Sequence, residues 1–198
     1  MEQFKIHYKL DKGGFGDIYL GTNKNTNENV IIKIEFQKFG KHNSLIKEYD
    51  IYKQLNNDIY FPKVHLYTQE KDTNILILDI NGPSIYKLFK KYNKLFSLKT
   101  IIMISIQLLK RIKYIHSKHI IHCDIKPDNI ILGIGSNLNI IKIIDFGISE
   151  FYCDLETNKH KEFNENKSFK GTAFYSSINA QKKVSLSRRD DLESLGYM

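Results

Sequence analysis

Over the first eighty residues apolar and polar side chains alternate in short runs. Residues 4–10, 17–21 and 29–35 are β-prone and separated by Gly- and Asn-rich turns, which predicts three strands. Leu45, Ile46, Tyr49, Tyr52 and residues 53–55 then fall at helical spacing, the only such rhythm in this half. Residues 63–68 and 74–79 return to strand character. Asn81-Gly82-Pro83 breaks the pattern, with Pro83 fixing the backbone. Beyond the break the period lengthens. Residues 84–92 predict a short helix. Ser97 is the N-cap of a long one, with Leu98, Ile101, Ile102, Ser105, Leu108, Leu109, Ile112 and Ile115 expected on one stripe. Two short strands are expected at 130–132 and 140–144. From 145 to 179 the chain is polar and irregular, and a stretch of that length in a compact domain usually serves function. The expectation is an α+β chain: a β-rich lobe with one helix over residues 1–80, a hinge near 81, and a mainly helical lobe over 81–198.

The chain length of 198 residues leaves room for such a core, and 41% hydrophobic with 26% charged residues fits a soluble globular protein. The net charge of +8 rests on 27 Lys and only 3 Arg. Lys, Ile and Asn, all with A/T-rich codons, make up 74 of the 198 residues, so coding composition accounts for much of the excess. Nucleic-acid recognition favours Arg for its bidentate geometry, and the basic residues form no run longer than a pair. No specific nucleic-acid partner is expected, only weak attraction to polyanions. Cys123 and Cys153 have no paired spacing, which argues against a disulfide scaffold or zinc site and for a reducing compartment. No signal-like segment opens the chain and no apolar run approaches a membrane span. A soluble, intracellular protein without a membrane partner is expected.

Candidate chemistry comes in order along the chain. Gly13-Gly14-Phe15-Gly16-Asp17-Ile18 lies between two expected strands, where glycines let backbone N–H groups approach a polyphosphate; a plain hairpin turn suits the same residues. Lys33 closes a strand and Glu48 follows on the helix, near enough in sequence to pair. The densest cluster is His122-Cys123-Asp124-Ile125-Lys126-Pro127-Asp128-Asn129. Here a proton acceptor, a cation and an oxygen ligand share one loop, as phosphoryl transfer requires. Asp145-Phe146-Gly147 follows, with a carboxylate at a strand end that could hold Mg²⁺. Each piece alone suits a polar turn, but the ordered set does not.

With these residues in view, the chain resembles a eukaryotic-type protein kinase, and within that superfamily the casein kinase I family. The family-like stretches are Phe15-Gly16-Asp17-Ile18-Tyr19-Leu20-Gly21, Gly82-Pro83-Ser84, Phe96-Ser97-Leu98-Lys99-Thr100, Ile115-His116-Ser117-Lys118, Ser177-Ile178-Asn179 and Ser187-Arg188-Arg189-Asp190-Asp191-Leu192-Glu193-Ser194-Leu195-Gly196-Tyr197. The resemblance implies a bilobal kinase fold, ATP and Mg²⁺ as cofactors, and protein substrates with Ser/Thr acceptors. It assigns nucleotide binding to Leu10, Gly13, Gly14, Phe15, Gly16, Ile18, Lys33, Glu48, Asp79 and Asn81. In that scheme Lys33 contacts the α/β-phosphates and pairs with Glu48, while Asp79 and Asn81 present backbone groups to adenine. Asp124 accepts the substrate hydroxyl proton, Lys126 neutralises the γ-phosphate, and Asn129 and Asp145 ligate Mg²⁺. Thr172 is expected to bond near Asp124 and Lys126, and with Lys126 it marks a Ser/Thr kinase. Asp191 is expected to buttress the catalytic loop.

The chain departs from the family at five points. Asp11 stands in place of the first phosphate-loop glycine, and Ile31 in place of an Ala that packs over adenine. Cys123 replaces the catalytic-loop Arg, and Phe174 the Arg that helps bind a phosphate already on the substrate, with Lys167 left to contribute. The family continues with further helices past the position of Asp191, so the C-lobe is expected to be incomplete, leaving Leu132, Ile143 and the long-helix stripe short of packing partners. The alternative to an active kinase is therefore an inactive remnant that binds nucleotide or a partner.

Overall fold

The computed structural model describes residues 1–13, 16–36, 44–55 and 59–198, so Gly14 and Phe15 lie outside the described residues. Two compact units divide between Ile80 and Asn81. The α+β expectation holds.

The first unit contains β1 (Phe4–Gly13), β2 (Gly16–Asn23), β3 (Asn29–Phe36), α1 (Ser44–Gln54), β4 (Val64–Glu70) and β5 (Thr73–Asp79). The strands form one antiparallel sheet in the order β1-β2-β3-β5-β4. Its register follows from the two-residue side-chain period. Val30 and Ile32 turn to one face and pack with Phe4, Ile75 and Ile77. Lys33 and Glu35 turn to the other and both bond α1. Gly16 is a packing requirement of this sheet: a Cβ there would run into the Ile34 carbonyl of the neighbouring strand.

Glu35 does what no local pattern announced. Its buried carboxylate accepts from the Ser44 amide at 3.0 Å, the Ser44 hydroxyl, the Leu45 amide at 3.2 Å and Asn74 Nδ2 at 3.2 Å. The strand thus caps the helix N-terminus, meeting two of the four amides a helix leaves unpaired and placing negative charge at its positive end. Glu35→Ala is expected to lower stability by about 2–3 kcal/mol, read by urea denaturation. A change below about 0.5 kcal/mol would mean that water replaces the cap.

The second unit contains α2 (Ile85–Lys91), α3 (Leu98–Ser117), β6 (Ile120–Ile121), β7 (Ile130–Leu132), β8 (Ile141–Ile143), β9 (Glu150–Phe151), α4 (Ile178–Gln181) and α5 (Arg188–Tyr197). The hydroxyls of Ser84 and Ser97 accept from Lys87 N and Thr100 N, so the Ser97 N-cap stands where the sequence puts it, while Ser84, expected inside its helix, caps it instead. Two antiparallel pairs are formed, β6–β9 and β7–β8, and residues 122–129 lie between β6 and β7. The 145–179 stretch is irregular apart from β9 and the first turn of α4.

The α3 stripe is covered only in part, as expected. Leu108, Ile112 and Ile115 are buried against β6, β8 and α5, but Leu98, Ile101, Ile102 and Leu109 are exposed, and Ser105 is half-buried. Neighbouring elements cover one side of the helix, mostly along its second half, so its apolar residues form two adjacent stripes of which one is solvated. Ile143, expected to lack packing, is fully enclosed, while Leu132 is half-buried. Among the described residues no helix is long and apolar enough to cross a membrane.

Candidate functional site

The residues singled out in the sequence fall into one set in each unit. In the first, β3 projects Lys33 toward α1, where its Nζ sits 2.7 and 2.9 Å from the two carboxylate oxygens of Glu48. Glu48 is buried and Lys33 half-buried, so the pair is far less screened than a surface ion pair. Glu35, two residues after Lys33 on the same strand, holds the start of the helix that carries Glu48.

Gly13 and Gly16 close the β1–β2 hairpin as a register pair. Leu10 is exposed, and Ile18, half-buried, lies opposite Asp11. The Asp11 carboxylate takes the Lys12 amide at 2.7 Å. Asp17, at the start of β2, has its carboxyl held below the usual range by a 2.6 Å hydrogen bond from Lys9. At the end of β5, Asp79 accepts from His65 Nε2 at 2.7 Å and from the Lys63 amide at 3.1 Å. Its own amide is committed to the Lys63 carbonyl, which narrows what its backbone can offer a base to the carbonyl. His65 was not anticipated: a single His in a strand carries no pattern. Asn81 opens the second unit and is half-buried.

In the second unit Asp124 is the centre of a closed network. Its Oδ1 accepts from Thr172 Oγ1 at 2.8 Å. Its Oδ2 lies 2.7 Å from Lys126 Nζ and 3.1 Å from Asn129 Nδ2. Lys126 also donates to Thr172 Oγ1 at 2.7 Å, so Asp124, Lys126 and Thr172 form a triangle. Asn129 Nδ2 further meets the Asp124 carbonyl at 2.9 Å. Two acceptors can be satisfied only by the amide nitrogen, so the Asn129 amide oxygen faces away from Asp124.

Several devices hold this geometry. The buried Asp191, on the first turn of α5, accepts the amides of His122 and Cys123 at 2.9 Å each, and pairs with His116 Nε2 at 2.8 Å. His122 Nδ1 takes the Asp124 amide at 3.2 Å, which leaves Nε2 as the N–H that donates to the Ile144 carbonyl at 3.0 Å. The Phe146 ring, fully buried, meets the His122 ring edge-on at 5.0 Å. Cys123 (φ 67°) and Asp145 (φ 71°) both adopt the left-handed backbone that costs a non-glycine residue about 1–3 kcal/mol. The Ile144 amide bonds the Asn129 carbonyl at 3.0 Å, so the β7–β8 ladder places Asp145 next to Asn129 along the backbone.

Thr172 arrives by close approach. Gly171 has φ 90°, and a Cβ there would stand 2.6 Å from the Cys123 carbonyl. Only glycine lets the segment run this near the loop. Downstream, Tyr175 has its phenol pushed up by burial and then by the charge of Asp128. Ser177 Oγ and Asn179 Nδ2 both donate to Asp190 Oδ1, at 2.7 and 3.0 Å, which ties the segment to the start of α5. Gly171, Glu35, His65 and Asp190 escaped sequence reasoning. For Gly171 the signal was present, since a glycine before Thr172 asks what lies against it. Cys123 is half-buried and packs with Leu186 on the cluster of Ile121, Tyr152 and Cys153.

Asn129 and Asp145 offer an amide and a carboxylate oxygen, hard ligands of the kind Mg²⁺ takes when phosphates complete its shell. Among the described residues no group of three or more His, Cys, Asp or Glu could hold a metal ion. The family model for the protein kinase domain matches residues 4–198.

Proposed function

We propose that this chain, which belongs to the protein kinase domain family, is a Ser/Thr kinase of casein kinase I type. Membership carries phosphoryl transfer from ATP to protein acceptors. The residue roles, the acceptor class and the subtype are what the proposal adds.

In this reading Lys33, oriented by Glu48, holds phosphate oxygens, and the β1–β2 hairpin covers them with Leu10, Gly13, Gly14, Phe15, Gly16 and Ile18. The Asp79 carbonyl and the Asn81 backbone receive adenine. Asn129 and Asp145 hold Mg²⁺, which when bound neutralises charge on the phosphates. Asp124 orients the acceptor hydroxyl and takes its proton, while Lys126 offsets charge on the transferring group.

The observation that carries the reading is the Asp124–Lys126–Thr172 triangle. By the resemblance, a Lys two residues beyond the base and a threonine bonded to both are the marks of a Ser/Thr kinase. The subtype rests on the Gly82-Pro83-Ser84 and Ser177-Ile178-Asn179 stretches and on the α5 signature. Phe174 stands highly exposed beside Thr172, an apolar group where the family places a cation. One cation for a phosphate already on the substrate is thus missing, with Lys167 left to contribute.

The test is γ-phosphate transfer from Mg-ATP to Ser, Thr and Tyr versions of one acidic peptide. Labelling of the Ser and Thr peptides only is expected. Equal labelling of the Tyr peptide would remove the acceptor assignment. Thermal stabilisation by Mg-ATP with no transfer would instead assign the nucleotide-binding remnant.

A further inference from the structure

We propose that Asn74, near the start of β5, is a positioning residue for phosphate binding: through Glu35 and Tyr67 it holds α1 where Glu48 orients Lys33. The inference rests on the reading that Lys33 holds phosphate oxygens. Asn74 is fully buried, and its amide reaches in two directions. Its Nδ2 donates to Glu35 Oε2 at 3.2 Å, and its Oδ1 accepts from the Tyr67 hydroxyl at 3.2 Å. A carboxylate can only accept, so one orientation of the amide serves both neighbours. Burial, and then the charges of Asp50 and Glu35, push the Tyr67 phenol up, which keeps it an O–H donor.

Each neighbour carries the hold on to α1. Glu35 receives the Ser44 and Leu45 amides at the helix start, at 3.0 and 3.2 Å. Tyr67, on β4, stacks its ring on Tyr49 with centroids 4.7 Å apart and planes 15° from parallel. Tyr49 directly follows Glu48. The polar arm fixes where the helix begins, and the aromatic arm, about one turn later, fixes its rotation. Rotation is the motion that matters. A twist of about 30° carries a side-chain tip roughly 5–6 Å from the helix axis through about 3 Å. That is a whole bond length for Glu48, which meets Lys33 at 2.7 and 2.9 Å. Capping the helix needs Glu35 alone; the shared amide adds a tie between the helix start and the turn that carries Glu48.

The test uses the full chain and measures binding of Mg-ATP and of adenosine by calorimetry. Asn74→Ala is expected to weaken Mg-ATP about fivefold or more, as for a helix that holds Glu48 in place about one-fifth of the time. Adenosine has no phosphate and should bind parent and variant alike, a selectivity that unfolding cannot imitate. Tyr67→Phe keeps the stack and loses the hydroxyl, so a loss of about twofold confined to Mg-ATP is expected. Glu35→Gln with Asn74→Asp reverses donor and acceptor across their bond and should recover part of what either single change loses. Should Asn74→Ala not fold, Tyr67→Phe and the double variant decide by the same comparison. Lys33→Met separates this inference from the reading beneath it, and should weaken Mg-ATP about tenfold or more. If it does not, or if the parent binds no Mg-ATP, the phosphate role of Lys33 falls and the inference with it. If it does, while Asn74→Ala binds Mg-ATP like the parent or loses adenosine equally, the inference alone is overturned.

Discussion

Asp124→Asn is expected to lower kcat by about 10²–10⁴-fold, the usual worth of a positioned general base, with the fold intact. The new side chain has the same shape, so the loop keeps its packing. Its amide oxygen can still receive Lys126 and Asn129, and Thr172 can rotate to accept the new N–H₂ group. What disappears is the charged acceptor that the acceptor hydroxyl needs, because an amide does not take a proton at neutral pH. Steady-state transfer, paired with a thermal melt within a degree or two of the parent, reads the two effects separately. Equal rates for the two proteins would sink the assignment of Asp124.

Asp191→Ala has the largest expected effect on stability. It strips the acceptor from two loop amides and from His116, all in a buried setting. Each buried donor left unmet costs about 1–3 kcal/mol, and about 3–5 kcal/mol in sum is expected. That is a large part of the 5–15 kcal/mol typical of a domain, roughly. Asp191→Asn keeps one acceptor oxygen and should fall between. Denaturant midpoints measure the series, and a loss below about 1 kcal/mol for Asp191→Ala would show that the loop stands without its support. Activity should fall with it, since Asp124 directly follows the two amides that Asp191 holds.

Where the physics is local, the sequence was readable. Strands alternate within a few residues, the N-cap at Ser97 sits one residue ahead of its helix, and Asp124, Lys126 and Asn129 occupy one short loop. The Lys33–Glu48 pair needed only one strand and one helix. What escaped depends on segments meeting across long separations. Glu35 meets Asn74 because β3 and β5 are neighbours in the sheet, and Gly171 is required by a carbonyl forty-eight positions earlier. The α3 stripe was legible as a pattern and its shortage of packing partners was expected, but which of its residues are covered was not. Periodicity tells which residues share a side of a helix, but how many sides are covered is decided by the elements around it.

The reach of Asp191 bears on how the chain folds. Its three partners lie 75, 69 and 68 positions earlier, so the loop carrying Asp124 is shaped by a contact among the least local in the second unit. Closing a loop of that length costs roughly 4 kcal/mol of chain entropy before any bond repays it. High contact order slows folding, so the Asp124 loop should order late, after α3 and the β7–β8 pair have formed. On the ribosome, a nascent chain that has not yet exposed residue 191 carries Asp124, Lys126 and Asn129 in full, but without the contact that arranges them. The arrangement of that loop would then arrive in one late step as α5 docks.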